Sequence, residues 1–249
     1  MDNLKKILTK LIKMGCCGIK ISFEDEGALL NEIISMRYLT ASLNIELSIK
    51  IGGCEAKRDI NDCINLCSDS IVAPMIESKF SLQKFIDSSE IYKNKKGINI
   101  ETIQAYNNFD DISNLINKIN FITFGRVDFI NSINKNRNFV DSDEVFEYVK
   151  NIFIKTKEKN INCCLGGSIT SHSKNFILKL NELNIIDKFE TRYNIFDVSK
   201  INFNNFYEIL YTTHLFEIEW LTYIQNRYLS YADKDSSRIK MIKDRINSS

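Results

Sequence analysis

A repeat of strand-like and helix-like segments constrains this chain more than any other feature. Short runs rich in apolar and β-branched residues recur at 18–23, 46–51, 70–76, 98–103, 121–127, 162–165 and 189–196. Their centres lie about 24 to 28 residues apart, save for one gap near 40. Amphipathic, helix-length stretches fill the intervals, among them 29–43, 57–67, 81–92 and 110–117. The long gap holds a helix at 141–159 that opens on Asp141-Ser142-Asp143-Glu144, a capping sequence. Runs read as continuously apolar and separated by helices predict buried parallel strands joined by crossovers. Seven such units, with a helix in front at 2–13, predict an α/β fold: a TIM-type (β/α) barrel whose eighth strand is atypical or missing. The tail from Asn204 carries an apolar stripe, Phe206, Leu210, Leu215, Ile218 and Leu221, then a second, charged helix at 236–246. One proline and nine glycines leave no linker-like boundary. The expected organisation is a barrel over 1–203 and a helical C-terminal extension of the same domain over 204–249.

Composition narrows the class of function. The chain has 249 residues, and its 33 basic side chains nearly cancel 32 acidic ones. No excess positive field exists for a phosphate backbone or an anionic membrane surface, so neither nucleic acid nor membrane is an expected partner. Lysines at 5, 6, 10 and 13 interrupt the apolar run that a secretory signal would need, and no apolar stretch is long enough to span a bilayer. The seven cysteines are odd in number and sit mostly inside apolar segments. They read as reduced thiols and small hydrophobes of a cytoplasmic protein. Unpaired in CxxC groups and far in sequence from His172 and His214, they do not suggest a zinc site.

In a barrel of this type the active site lies at the C-terminal ends of the strands. The segments expected there are rich in ionisable groups: Glu24-Asp25-Glu26-Gly27, Lys50 followed by Glu55, Glu77, Glu101, Arg126 with Asp128, and Glu190 with Arg192. A carboxylate such as Glu101 within a buried strand is costly unless compensated, so charges gathered on one rim compensate one another or a metal. Ion pairing at the rim is the simplest form of this. Glu101 and Asp128, on neighbouring strands and without nitrogen or sulfur ligands nearby, suit a hard divalent cation that keeps waters and accepts substrate oxygens. Gly166-Gly167-Ser168 opens the helix near Ser173, where backbone N–H groups could meet a substrate phosphate or carboxylate. A tight turn with a hydroxyl cap would give the same sequence. Glu190 and Arg192, two apart on a strand, are expected to share one face. His172 could reach the same rim; His214, on the apolar tail, reads as structural.

Three ordered segments carry a family likeness. Ile98-Asn99-Ile100-Glu101-Thr102 is followed by Ala105-Tyr106-Asn107-Asn108, then by Phe124-Gly125-Arg126-Val127-Asp128-Phe129; Pro74-Met75-Ile76-Glu77-Ser78 precedes them. Over residues 15–135 this order resembles the HpcH/HpaI aldolase and citrate lyase family. The resemblance implies that Glu101 and Asp128 hold Mg²⁺ or Mn²⁺, that the substrate is a 2-oxo acid of pyruvate or oxaloacetate type, and that enolate chemistry breaks or makes a carbon–carbon bond. It also implies a multimer, because family members often exchange a C-terminal helix between subunits. Two departures stand out. Lys50 occupies the strand where the family usually carries an arginine, keeping the charge but not the planar fork. The loop 24–27 has no histidine where aldolase members have one. Class, metal and fold therefore follow from the resemblance more directly than substrate or base. Lys50 and Arg126 would add positive charge beside the enolate oxygen. Glu26, Glu55 and Glu77 are candidate general bases, any one of which could instead pair with Lys20 or Lys50. Gly166, Gly167, Ser168 and Arg192 are the candidate substrate contacts. The alternative is a barrel that has lost catalysis and serves as a binding or assembly component.

Overall fold

The computed structural model describes residues 1–24 and 26–248. Eight strands close into a barrel: β1 Cys16–Ser22, β2 Glu46–Lys50, β3 Ser70–Ala73, β4 Lys95–Ile100, β5 Phe121–Gly125, β6 Asn162–Gly166, β7 Lys188–Glu190 and β8 Asn194–Asp197. The strands from β1 to β7 pair in parallel, in chain order. Around them run α1 Asp2–Lys13, α2 Leu30–Leu43, α3 Lys57–Asn65, α4 Lys79–Ser88, α5 Ile103–Asn107, α6 Phe109–Ser113, α7 Arg126–Ser132, α8 Asp143–Lys157 and α9 Ser173–Glu182. The long interval before β6 is filled by α7 and α8, the latter capped by the Ser142 hydroxyl, which accepts from the Val145 N–H at 3.3 Å. None of the described helices is long and apolar enough to cross a membrane.

The eighth strand exists, and it is atypical. The segment expected as one strand at 189–196 breaks into a hairpin, with Thr191 N–H donating to Asn194 O at 2.9 Å. A turn this short can only join antiparallel strands, because a parallel return needs a crossover of a dozen residues or so. β8 therefore runs antiparallel to both β7 and β1, pairing Phe189 with Phe196 on one side and Ile19 with Asn194 on the other. The ring closes with no free edge, and the chain is returned to the N-terminal end of the barrel.

The strands are not continuously apolar; they alternate. Ile19, Ile21, Leu47, Ile49, Ile98, Ile100, Ile122, Phe124 and Leu165 are buried at 0–1% exposure and pack outward against the helices. Their neighbours, including Lys20, Ser48, Lys50, Asn99, Thr123 and Glu190, line cavities inside the ring. The usual layers of branched aliphatic residues inside such barrels are replaced here by small and charged side chains. The sequence reading missed this because each polar residue sits singly between apolar ones, as in Glu46-Leu47-Ser48-Ile49-Lys50. Glycine supplies the remaining space. The Phe121 ring lies across the seam where a Cβ on Gly97 would stand, only 2.3 Å from it.

The tail is one helix rather than two: α10 spans Phe206–Asn247, 42 residues. Phe206, Ile209, Leu210, Phe216 and Trp220 are buried, and the helix packs on α1, with Lys10 paired to Glu208 at 2.8 Å. Of the predicted stripe, Leu215, Ile218 and Leu221 face outward instead. Higher up, Arg227 donates to Asn31 O and Ser35 Oγ, and the Tyr228 hydroxyl donates to Glu32, fixing α10 to the start of α2.

Gly97→Ala should lower stability by about 1–3 kcal/mol, because the Phe121 ring must leave its place. Urea denaturation checks this, and an unchanged midpoint would contradict the packing.

Candidate active site

At the C-terminal ends of the strands the ring opens into a cavity of about 440 Å³. Its floor is an ion pair between Lys20 Nζ and Glu190 Oε1 at 2.6 Å, both side chains largely buried. Burial works against the Lys20 ammonium, but Glu190 outweighs it and the pKa is raised. Beside the pair, Thr123 is buried with its hydroxyl unpartnered by any hydrogen bond.

Glu101 stands immediately past β4 on the cavity wall and is 2% exposed. Its Oε1 accepts from Met75 N–H at 2.9 Å and its Oε2 from Asn99 Nδ2 at 3.0 Å. Met75 reaches it from a left-handed backbone, φ 52°, directly after the chain's single proline. Burial pushes the Glu101 carboxyl up; nearby Lys50 pulls it down, and Asp128 pushes it up again, with the net shift upward. The predicted trio Glu101, Asp128 and Lys50 is thus brought together on one wall. Gly125 makes this possible, since a Cβ there would stand 2.8 Å from both Cβ and Oε2 of Glu101.

Gly166, Gly167 and Ser168 also line the cavity. Gly167 has φ +82°, and a Cβ on it would meet the amides of Arg126 and Val127 at 2.8 and 2.7 Å, so only glycine fits. The carbonyls of Gly166 and Gly167 face Arg126, which donates to them at 3.1 and 2.8 Å. This corrects the expectation that Arg126 stands beside an enolate. It is the first residue of α7 rather than part of β5, it is fully buried, and its guanidinium is committed to these carbonyls and to Asp141. Arg126 is a positioning residue that ties the β6 loop to α7.

The candidate bases separate. Glu55 pairs with Lys84 at 3.2 Å and lies outside the cavity. Glu77 also lies outside, accepting the Thr102 hydroxyl at 2.6 Å and so holding the turn into α5. Glu26 accepts from Ser22 N–H at 3.1 Å and lies 3.9 Å from Arg192 Nε, with its side chain 6% exposed. Its neighbour Asp25 lies outside the described residues. Arg192 does reach the cavity rim, but from the β7–β8 turn rather than from the strand face that carries Glu190. It lies 4.0 Å from Glu217.

Several cavity residues were not foreseen. Thr213, His214 and Glu217 of α10 form part of the wall, and Asn99 and Thr123 project from the strands. Asn99 and Thr123 were visible in principle as polar residues inside apolar runs. The α10 residues were not, because only the hairpin closure brings that helix up to the mouth. His172 is exposed and does not line the cavity.

No family model matches the sequence, and no curated protein matches it. Solved structures do resemble the fold. An HpcH/HpaI aldolase from Desulfitobacterium hafniense is 10% identical with a TM-score of 0.59, the match covering 72% of this chain and 79% of that one. An HpcH/HpaI aldolase/citrate lyase family protein from Burkholderia cenocepacia is 8% identical with a TM-score of 0.61, over 76% and 83%. A variant of the citrate synthase SbnG is 13% identical with a TM-score of 0.62, over 88% and 91%. At such identities the likeness establishes the fold: this chain shares the barrel of the HpcH/HpaI aldolases.

The upward shift at Glu101 carries a sign. A carboxyl that holds its proton more tightly folded than unfolded costs stability as pH rises from the ordinary carboxylate range through the raised pKa. The protein should therefore lose melting temperature relative to Glu101→Gln across that window, by a few degrees in a thermal melt followed by circular dichroism. A difference that stays constant with pH would contradict the burial of an ionising Glu101.

Proposed function

We propose that this chain is a divergent enzyme of the HpcH/HpaI type, a divalent-metal-dependent carbon–carbon lyase or aldolase acting on a 2-oxo acid or a related sugar-like acid. One observation carries the reading: Glu101 and Asp128 lie beside Lys50 on the wall of a polar cavity at the mouth of the barrel. The donor set fits Mg²⁺ or Mn²⁺. Each Glu101 oxygen accepts one hydrogen bond and keeps a second lone pair for a cation. Among the described residues no three histidine, cysteine or carboxylate side chains converge as a metal cluster. Mg²⁺ typically makes do with one or two carboxylates, completing its sphere with waters and substrate oxygens. When bound, such a cation supplies Lewis-acid polarisation of the keto group.

The chain's own residues do the rest. Lys50 offers positive charge where an enolate oxygen would develop. Gly166, Gly167 and Ser168, held by Arg126, leave a backbone surface that a substrate carboxylate can approach closely. Arg192 extends the positive field at the rim, which favours an anionic substrate. The outward apolar face of α10, with Tyr207, Tyr211, Leu215, Ile218 and Leu221, supports a homo-oligomer as the working form. Seven free cysteines, four of them buried, suit a reducing compartment.

The test is proton exchange at the methyl group of pyruvate in D₂O, followed by NMR. Exchange should require added Mg²⁺, cease with EDTA, and fall to background in Glu101→Gln. No exchange, together with no divalent-cation binding, would favour a barrel that binds rather than catalyses.

A further inference from the structure

Removing a proton from the methyl carbon of a 2-oxo acid requires a base that is deprotonated and unoccupied near neutral pH. The carboxylates of the site are poor candidates. Glu55 and Glu77 stand outside the cavity, Glu26 is held by Ser22 N–H, Glu190 is committed to Lys20, Glu217 lies 4.0 Å from Arg192, and the proposed function gives Glu101 and Asp128 to the cation. Histidine is the side chain whose ordinary titration lies in the required range. The chain has two histidines, and only His214 lines the cavity. It is exposed on the rim and makes no hydrogen bond or ion pair among the described residues, so its imidazole is available to a ligand.

We infer that His214, presented by α10, is the general base and acid of the proposed reaction. The assignment rests on reading the cavity as a 2-oxo acid site. A neutral imidazole nitrogen takes the C3 proton; the C–H pair becomes the enolate double bond, and the keto oxygen takes the charge beside Lys50. The imidazolium returns a proton to carbon in the reverse direction, or to an acceptor's oxygen after bond formation. The charged groups that line the cavity with His214 include Glu217 on its own helix and Arg192 from the β7–β8 turn, which lies near both Glu217 and Glu26. The same cavity is also lined by Lys20 with Glu190, by Lys50, Glu101 and Asp128, and by Arg137. Placing the base on α10 also makes catalysis depend on the segment after the barrel. The packing of α10 on α1 and its anchoring to α2 through Arg227 and Tyr228 would then position the base.

The experiment uses the full chain with Mg²⁺ and compares wild type, His214→Gln and His172→Gln in pyruvate exchange across pH. In wild type the rate should rise with pH through the imidazole range. His214→Gln should be slower by about 10²-fold or more and lose that rise, while His172→Gln keeps both. In a second readout, pyruvate added to the Mg²⁺-loaded protein should shift the His214 imidazole resonance and leave that of His172 in place. A His214→Gln protein that keeps the wild-type rate and pH profile overturns this inference and leaves the proposed function standing. A wild type that never exchanges overturns the proposed function, and the assignment of His214 with it.

Discussion

A barrel without a free edge that places charges in its interior must balance them there, and much of this structure follows from that balance. The deepest case is Lys20 with Glu190 at 2.6 Å, linking the first strand to the seventh across the hairpin closure. Taking two ions from water costs several kcal/mol each, and only close pairing with satisfied hydrogen-bonding capacity recovers it. The Cys164 thiol contributes by donating to the other Glu190 oxygen at 3.8 Å. Burial and the Glu190 charge keep that thiol protonated, with its pKa well above the ordinary value. At the other end of the cavity wall, Glu101 is balanced by Lys50 and two hydrogen-bond donors. Glycine is the complement of these charges. Gly125 leaves room for Glu101, and Gly166 leaves room for Glu190, whose Oε1 lies 3.2 Å from where a Cβ would stand.

Closure by a hairpin has a second consequence. An eighth strand running antiparallel delivers the chain to the bottom of the ring, so the helix that follows must climb the outside of the barrel again. Eight residues after its start, about 12 Å of helical rise, α10 reaches the rim and contributes Thr213, His214 and Glu217 to the cavity. In an all-parallel barrel the last strand would end at the top and the following helix would descend away from it. The topology thus sets which segment furnishes the wall next to Arg192.

Much of the architecture was legible in the sequence. The strand positions follow from β-branched runs, and the long interval was correctly filled by a helix opening at Ser142. What failed has physical reasons. The run at 189–196 has no glycine or proline to mark its turn; Thr191, Arg192 and Tyr193 bend because Thr191 and Asn194 bond across it, a local pairing that composition hides. Alternation inside the strands was obscured because the outward side chains are so apolar that isolated polar residues looked like interruptions. In the site, Glu101, Asp128 and Lys50 were singled out from charge near the expected strand ends and from the family likeness, and all three line one cavity. Arg126 was misread because the strand ends at Gly125, two residues short of the expected 121–127, and Arg126 begins α7 with its side chain in the wall. That His214 reaches the cavity was not legible, because an apolar stripe shows which face of a helix is buried, not which part of it meets the barrel mouth.

The proposed function requires Glu101 and Asp128 to form one oxygen-donor site for a hard cation beside Lys50. Crystals soaked with Mn²⁺ and oxalate, a planar dicarboxylate resembling a 2-oxo acid enolate, test it most directly through anomalous diffraction. The expected result is an anomalous peak at Glu101 and Asp128, with oxalate bound in the same cavity as Lys50. Mn²⁺ bound elsewhere, or oxalate in the cavity with the two carboxylates bare of metal, would contradict it.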